Sequence, residues 1–191
     1  MYGEHGITPP KEIAGLLLSA ILSDTLLFRS PTSTPLDEAA AKALAELAGV
    51  EIQPYAEQMF EAGADLTGRT AEDVFFSDFK VFSRGDVKFG VGQSSYMTAR
   101  SRAAAEALVA PYLADALGRA GVPMVFYMFT DMQHQATDLM FYGHGAEEIV
   151  QDAFHVSTEA GKAMLPGVVS RKKQLIPPLM ATLQARAEGQ G

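Results

Sequence analysis

The sequence predicts an α/β protein in which a short helical region precedes a larger mixed α/β domain. Helix-type apolar spacing fills the first region, and strand-type apolar runs occur only in the second. Residues 62–69 separate the two, because this stretch carries two glycines and few large side chains, as linkers do. Helices first and a mixed segment second favour two compact pieces joined by a hinge.

The first region is predicted to be helical throughout. Pro9 and Pro10 open its first helix, because the missing N–H of proline costs nothing in a first turn. The residues that follow are almost entirely apolar, which predicts a largely buried helix. Gly49 is placed to end the second helix. The predicted elements are, in order, a helix at 9–23, a polar loop at 29–34, and helices at 36–47 and 54–61.

The second region mixes helices and strands. Thr70 is placed to cap a helix with acids in its first turn. Residues 79–82 and 87–91 are typical of paired strands around a hairpin turn at 84–86, and Gly90–Gln93 predicts a strand end. The remaining predicted elements are a helical stretch at 99–120, a central strand at 122–129, its neighbour at 139–142 and a helix at 146–154. The central strand is apolar throughout, as in strands covered on both faces.

Composition excludes several function classes. The 191 residues carry 23 acidic and 15 basic side chains, a net charge of −8, which argues against broad electrostatic binding to nucleic acid. No run reaches the ~18 apolar residues that a membrane helix needs. The chain has no cysteine, which excludes disulfides and thiolate metal sites. We therefore expect no nucleic-acid or membrane partner, and a cytoplasmic location.

A concentrated basic stretch stands out against this acidic background. Arg171, Lys172 and Lys173 lie between a small-residue turn and an apolar segment with prolines near its start. Such a segment is typical of a helix start, where the helix dipole disfavours cations. Fixed positive charge there indicates a site for a multiply charged anion such as phosphate. A solvated basic helix end is the alternative.

Two other residues are candidates for site chemistry. Asp24 follows a buried apolar helix, so it is either a turn or capping residue or a metal ligand. Lys80 lies in an apolar strand and faces either solvent or the same anion as Arg171 and Lys172. Thr130–Asp131 ends the central strand and is either a site edge or a turn or helix cap. The four histidines form no metal-binding pair, and no P-loop motif is present.

Three segments together resemble one family. Residues 12–32, which include SDTLLFRSPT at 23–32, closely resemble the end of the catalytic domain of family II, manganese-dependent inorganic pyrophosphatases, in the DHH phosphoesterase superfamily. GVVSRKKQ at 167–174 is similar to the substrate-binding signature of that family's C-terminal DHHA2 domain. Phe79–Lys80 falls where the family carries another phosphate-binding lysine. The resemblance covers almost the whole chain.

The resemblance implies roles for individual residues. Asp24 matches an aspartate that ligates a dinuclear metal centre, and Lys80, Arg171 and Lys172 match residues that hold pyrophosphate. The complete enzyme would use Mn²⁺, or Co²⁺ or Mg²⁺, to hydrolyse pyrophosphate to two phosphates. In the family, two α/β domains are joined by a flexible linker, and closure brings the C-terminal cations onto substrate held by the metals.

The resemblance also implies that this chain is a C-terminal portion. Residues 1–66 would be an incomplete part of the DHH catalytic domain plus the hinge, and 67–191 a DHHA2 domain with a mixed β-sheet flanked by helices. The family's other metal ligands, including the Asp-His-His motif, are missing from these residues. We expect no complete catalytic set, no hydrolysis by this chain alone and no retained metal.

Three functional interpretations stay open from the sequence. The first is the pyrophosphatase portion, and the second is a related DHH phosphoesterase that acts on short polyphosphate. The third is a non-catalytic anion-binding module. In the first two, the apolar segment 11–28 would be exposed in this chain, so we expect a homo-oligomer that covers it.

Overall fold

A computed structural model of the chain describes Gly6 and residues 8–85 and 87–188. The chain divides into two compact units on either side of the Gly63–Ala64 peptide bond. Among the described residues, no helix combines the length and the apolar character needed to cross a membrane.

The described residues of the first unit form three helices whose bounds agree with the predicted ones to within two residues. They are α1 (Lys11–Asp24), α2 (Pro35–Ala48) and α3 (Ile52–Gly63). Thr34 and Asp37 form a capping box that satisfies the first N–H groups of α2. Gly49 ends this helix with a φ of 67°, a conformation that glycine adopts without strain. These local signals explain why the bounds of α2 could be read from the sequence.

The prediction that α1 is largely buried is only partly right. Leu18 and Leu22 are fully buried against small residues of α2 and α3. Leu16, in contrast, is 67% exposed and Leu17 is 37% exposed. The helix carries apolar side chains around most of its circumference, and its two neighbours cover only the side with Leu18 and Leu22.

The second unit is a five-stranded mixed sheet with helices on both faces, which confirms the predicted fold class. The strands are β1 (Phe79–Arg84), β2 (Val87–Tyr96), β3 (Met124–Asp131), β4 (Ala136–Gly143) and β5 (Lys162–Pro166). They lie side by side in chain order, and only the β2–β3 pair is parallel. The helices are α4 (Ala71–Phe76), α5 (Ala99–Val109), α6 (Leu113–Ala120), α7 (Ala146–Phe154) and α8 (Ile176–Glu188), with a 3₁₀ turn at Ala110–Tyr112 and a π-helical turn at Arg171–Leu175.

The core of the second unit has two layers separated by the sheet. Helices α4, α5 and α6 pack on one face, where Tyr127 and Phe129 of β3 point. Helices α7 and α8 pack on the other, where Phe126 and Met128 point. Strand β3 is buried from Met124 to Thr130, as predicted for a central strand covered on both faces.

The predicted strand end at Gly90–Gln93 is wrong, because β2 continues to Tyr96. A Cβ atom on Gly90 would lie 2.2 Å from Cζ of Phe79. The glycine is therefore needed for the close approach of the Phe79 ring to the strand, and it does not end the strand. β1 and β2 form the predicted hairpin, and Asp86 of its predicted turn lies outside the described residues.

Candidate functional site

The basic stretch lies in a widened helical turn that leads into α8. The N–H of Leu175 donates to the carbonyl of Ser170, a bond that spans five residues where an α-helix spans four. Pro177 and Pro178 lack the N–H groups that would bond to carbonyls one turn earlier, and their rings crowd those carbonyls. A wider turn relieves this crowding. The cations thus lie at the start of a helix, as predicted.

The Gln174 side chain holds the segment that precedes this turn. Its Oε1 atom accepts hydrogen bonds from the N–H groups of Val169 (2.9 Å) and Ser170 (3.0 Å). Its Nε2 atom donates to the carbonyl of Gly167 at 2.7 Å. One side chain therefore satisfies three backbone groups that belong neither to the strand before nor to the helix after.

Polar side chains of the sheet also hold the segment that precedes the basic turn. Gln93 on β2 donates from Nε2 to the carbonyl of Val169 (3.2 Å) and to Oγ1 of Thr130 (3.1 Å). Thr137 on β4 donates to the carbonyl of Val168 at 2.6 Å. Thr130 and Thr137 are fully buried, so these bonds exclude water from the contact. The basic turn is thereby attached to the centre of the sheet.

Arg171 projects from this turn onto the edge of the sheet and is only 7% exposed. Its Nη1 atom donates to the carbonyls of Asp78 (2.7 Å) and Val91 (3.1 Å). Its Nη2 atom donates to Oδ1 of Asp78 at 2.6 Å. A buried charge is tolerated when it is paired and hydrogen-bonded, and Arg171 meets both conditions.

Lys80 lies on β1 next to the backbone groups that accept hydrogen bonds from Arg171. Lys80 is the register partner of Val91, whose carbonyl accepts the bond from Arg171. It also follows Asp78, the residue that precedes β1, by two positions. The Lys80 side chain is exposed, as is that of Lys172 in the basic turn. The structure therefore brings Lys80 and Arg171 to the same edge of the sheet, with Lys172 next in the chain.

We call Lys80, Arg171 and Lys172, with the carboxylate of Asp78, the β1-edge cluster. It holds three cations and one carboxylate. Arginine offers a planar fork that matches two phosphate oxygens, and lysine a compact point charge. A cluster of this composition can bind a multiply charged anion by charge-assisted hydrogen bonds.

In the first unit, Asp24 is the last residue of α1 and is exposed. Leu26, Leu27 and Phe28, which follow it closely, all have positive φ angles, between 48° and 64°. Each such residue costs about 1 kcal/mol, because its Cβ crowds the backbone. Thr25 stabilises the turn, since its Oγ1 donates to the carbonyl of Ile21 (2.7 Å) and accepts from the N–H of Phe28 (3.2 Å).

A metal centre cannot be assembled from the described residues alone. Within residues 8–85 and 87–188, no three His, Cys, Asp or Glu side chains lie close enough together to hold a metal ion. Asp24 supplies one carboxylate, whereas metal sites of this kind take several ligands. The residues present therefore do not by themselves fit a dinuclear manganese centre.

The sequence did not single out Asp78 or Gln174 as site residues, and it treated Gln93 only as part of a strand end. Asp78 meets Arg171 across 93 residues of chain, and Gln93 meets Val169 across 76. Neither residue is part of a local motif. Gln174 closes the quoted GVVSRKKQ stretch, so that pattern contained it without indicating its role.

Comparisons with known proteins give one consistent result. The DHHA2 domain family model matches residues 57–182. The chain is 41% identical over 185 residues to a protein of Bacillus cereus (strain AH187) named a probable manganese-dependent inorganic pyrophosphatase. It is 39% identical over 183 residues to a cobalt-dependent inorganic pyrophosphatase of Clostridium perfringens. These alignments cover 97% and 96% of the chain, but 60% and 33% of the two relatives.

A crystal structure from Methanococcus jannaschii, assigned to family II inorganic pyrophosphatases, has the same fold. Its TM-score is 0.78 at 34% sequence identity, and the match covers 93% of this chain and 57% of that one. The chain thus spans about 60% or less of the proteins it matches.

Proposed function

The chain belongs to the DHHA2 domain family, and on that premise we propose that it is the C-terminal portion of a manganese-dependent inorganic pyrophosphatase whose second unit binds pyrophosphate. The β1-edge cluster carries this proposal. The cluster contains three cations and one carboxylate, which pairs with Arg171, so positive charge remains for a ligand even though the chain as a whole is acidic. The relatives' names support pyrophosphate as that ligand.

In this proposal, each cation of the cluster has a separate task. Lys80 and Lys172 are exposed and can move to meet phosphate oxygens, while Arg171 is fixed by the sheet edge. Together they would neutralise the charge on the phosphoryl group and on the leaving phosphate, which is the largest electrostatic demand of phosphoryl transfer. Asp24 is the proposed single contribution of the first unit, as a metal ligand.

The proposal is tested by calorimetric titration of the 191-residue chain with pyrophosphate and with its imido analogue, with and without Mn²⁺. A variant carrying Arg171→Ala and Lys172→Ala should lose the binding. Lys88→Ala is the matched control, because Lys88 is an exposed cation of the same hairpin, paired with Ser83 three positions nearer the turn. If this control loses as much affinity as the double variant, pyrophosphate responds to general charge and the proposal fails.

We expect this chain alone to bind pyrophosphate without hydrolysing it. A two-metal hydrolase needs several ligands to hold both ions, and Asp24 is the one ligand that we propose in this chain. Metal-dependent turnover by the purified chain would contradict this expectation. Titration with tripolyphosphate beside pyrophosphate would show whether the cluster favours the shorter anion.

We further propose a cytoplasmic protein that self-associates through its first unit and has no nucleic-acid partner. Leu16 and Leu17, which are adjacent in α1, are 67% and 37% exposed, and exposed apolar surface is commonly covered by a partner. Analytical ultracentrifugation would test the self-association. A monomer over a wide concentration range would contradict it.

A further inference from the structure

We propose that Asp78 is a positioning residue for Arg171: it clamps the buried guanidinium against the start of β1 and so leaves a defined set of its N–H groups for the anion. Asp78 does not itself contact substrate in this account. The inference deepens the proposed function, on which its binding measurement rests.

The geometry of the contact distinguishes it from an ordinary surface ion pair. Asp78 accepts two hydrogen bonds from Arg171, one at its backbone carbonyl and one at Oδ1. The side chain of Arg171 is 8% exposed, whereas that of Asp78 is 52% exposed. The half-exposed carboxylate of Asp78 can be solvated by water without a partner. The buried guanidinium of Arg171 needs hydrogen-bond acceptors within the protein, so the pairing constrains Arg171 far more than it constrains Asp78.

A count of donors shows what the clamp leaves available. A guanidinium has five N–H groups. Three bonds are made to acceptors among the described residues: two from Nη1, to Asp78 and Val91, and one from Nη2, to Asp78. The Nε–H and the second N–H of Nη2 remain. Two adjacent donors are what a phosphate needs for a bidentate contact, and fixing the guanidinium in advance reduces the ordering cost of binding.

The first test uses the reactivity of Arg171 and needs no ligand. The chain is treated with an arginine-specific dicarbonyl reagent, and modification of each arginine is followed by peptide mass spectrometry. Exposed Arg100 serves as the internal reference. Asp78→Ala should raise the modification rate of Arg171 by about tenfold, because it removes the side-chain acceptor that holds Nη2. Asp78→Asn retains an oxygen acceptor of the same shape and should leave the rate close to that of the parent chain.

The second test measures the affinity for pyrophosphate by calorimetry in the same variants. Asp78→Ala should weaken binding by about tenfold, because Arg171 is no longer held in position. Asp78→Asn should bind at least as tightly as the parent chain, because the acceptor remains and the competing negative charge is gone. A residue with a purely structural role would not separate these two variants.

Asp152→Ala is the matched control. It removes a half-exposed carboxylate that pairs with another arginine of the same unit, Arg186, at 2.6 Å. It should change neither the reactivity of Arg171 nor the affinity for pyrophosphate. Thermal unfolding of each variant tests whether the fold is retained.

The outcomes are distinguishable. If the parent chain fails to bind pyrophosphate, the proposed function falls, and the clamp is still supported or overturned by the reactivity of Arg171. Equal reactivity of Arg171 in all variants would overturn the clamp even if pyrophosphate binds. Asp78→Asn behaving like Asp78→Ala in both tests would also overturn it, because a retained acceptor should retain the position.

Discussion

The two edges of the sheet in the second unit, β1 at one end and β5 with its neighbour β4 at the other, carry the same kinds of charged residues in different proportions. At the β4–β5 side, Arg102 bonds to Glu106 (2.7 Å) and Asp138 (2.9 Å), and Lys162 bonds to Glu106 (2.5 Å). Two cations there meet two carboxylates. The β1-edge cluster has three cations and one carboxylate, that of Asp78, which pairs with Arg171.

We infer from this difference that positive charge is the better indicator of an anion site where carboxylates do not balance it. The β4–β5 side also has a groove of about 760 Å³, lined by the same ion-paired residues. Its charges are already compensated within the protein, so an anion would have to displace existing ion pairs.

The largest expected effect is the difference in stability and pyrophosphate binding between Arg171→Ala and Arg102→Ala. Arg171→Ala should lower the free energy of unfolding by about 2 to 3 kcal/mol, because it removes a buried guanidinium with three bonds, one of them to a carboxylate. It should also abolish the binding of pyrophosphate. Arg102→Ala, which breaks partly exposed pairs, should cost about 1 kcal/mol or less and leave binding unchanged. Urea unfolding and calorimetry measure both quantities, and equal losses of stability would contradict the comparison.

A smaller effect is expected from the two exposed lysines of the cluster. Lys80→Ala and Lys172→Ala should each weaken pyrophosphate binding by about tenfold, the usual effect of one charge-assisted hydrogen bond. Their free energies of unfolding should stay within about 0.5 kcal/mol of the parent value, as for most surface substitutions. Raising the ionic strength should reduce these differences. A large loss of stability in either variant would show a structural role instead.

Substitution of the carboxylates at the β4–β5 side should leave its cations uncompensated, as they are at the β1 edge. Glu106→Gln together with Asp138→Asn removes the carboxylates that compensate Arg102 and Lys162. We expect this double variant to gain a second, weaker pyrophosphate site, visible as a change of calorimetric stoichiometry from one towards two. An unchanged stoichiometry would show that free positive charge is not sufficient and that the shape of the β1 edge matters more.

The smallest expected effect is on how the stability of the second unit changes at acidic pH through the carboxyl of Glu106. The hydrogen bond from Lys162 lowers the pKa of Glu106 below its ordinary value; burial opposes this, and the charges of Lys162 and Arg102 add to it. Because the folded pKa is the lower one, the stabilisation is fully present above the ordinary glutamate pKa of about 4.3. It is lost as the pH falls through the folded pKa.

Glu106→Gln should therefore be less stable than the parent chain at pH 7, by about 1 kcal/mol or less. The difference should vanish in strong acid, where the parent carboxyl is protonated too. Unfolding experiments between pH 2 and pH 7 measure it, over the range set by the ordinary glutamate pKa. A difference that is constant over that range would contradict the assigned pKa shift.

Elements with local signals could be predicted from the sequence, and contacts between distant residues could not. Helix α7 matches its predicted span of 146–154, and α2 is bounded by its capping box and Gly49. The length of β2 was missed because glycines usually weaken strands. In this strand Gly90 instead makes room for Phe79, a residue whose position only the folded hairpin defines.

The same distinction applies to the candidate site. Lys80, Arg171 and Lys172 could be predicted as site residues because basic residues are recognisable one at a time and because the sequence resembles a known family. Asp78 and Gln93 were not, since an aspartate before a strand and a glutamine within one have many ordinary roles. Their importance depends on pairings with Arg171 and Val169 that only the fold brings together.

The most direct test of the account is a titration of the ¹⁵N-labelled chain with pyrophosphate, followed by NMR. The account predicts that the amide signals of Lys80, Val91 and Lys172 shift in a saturable manner, while those of Arg102 and Lys162 do not move. Saturable shifts at Arg102 and Lys162, or weak shifts spread over all exposed cations, would contradict it.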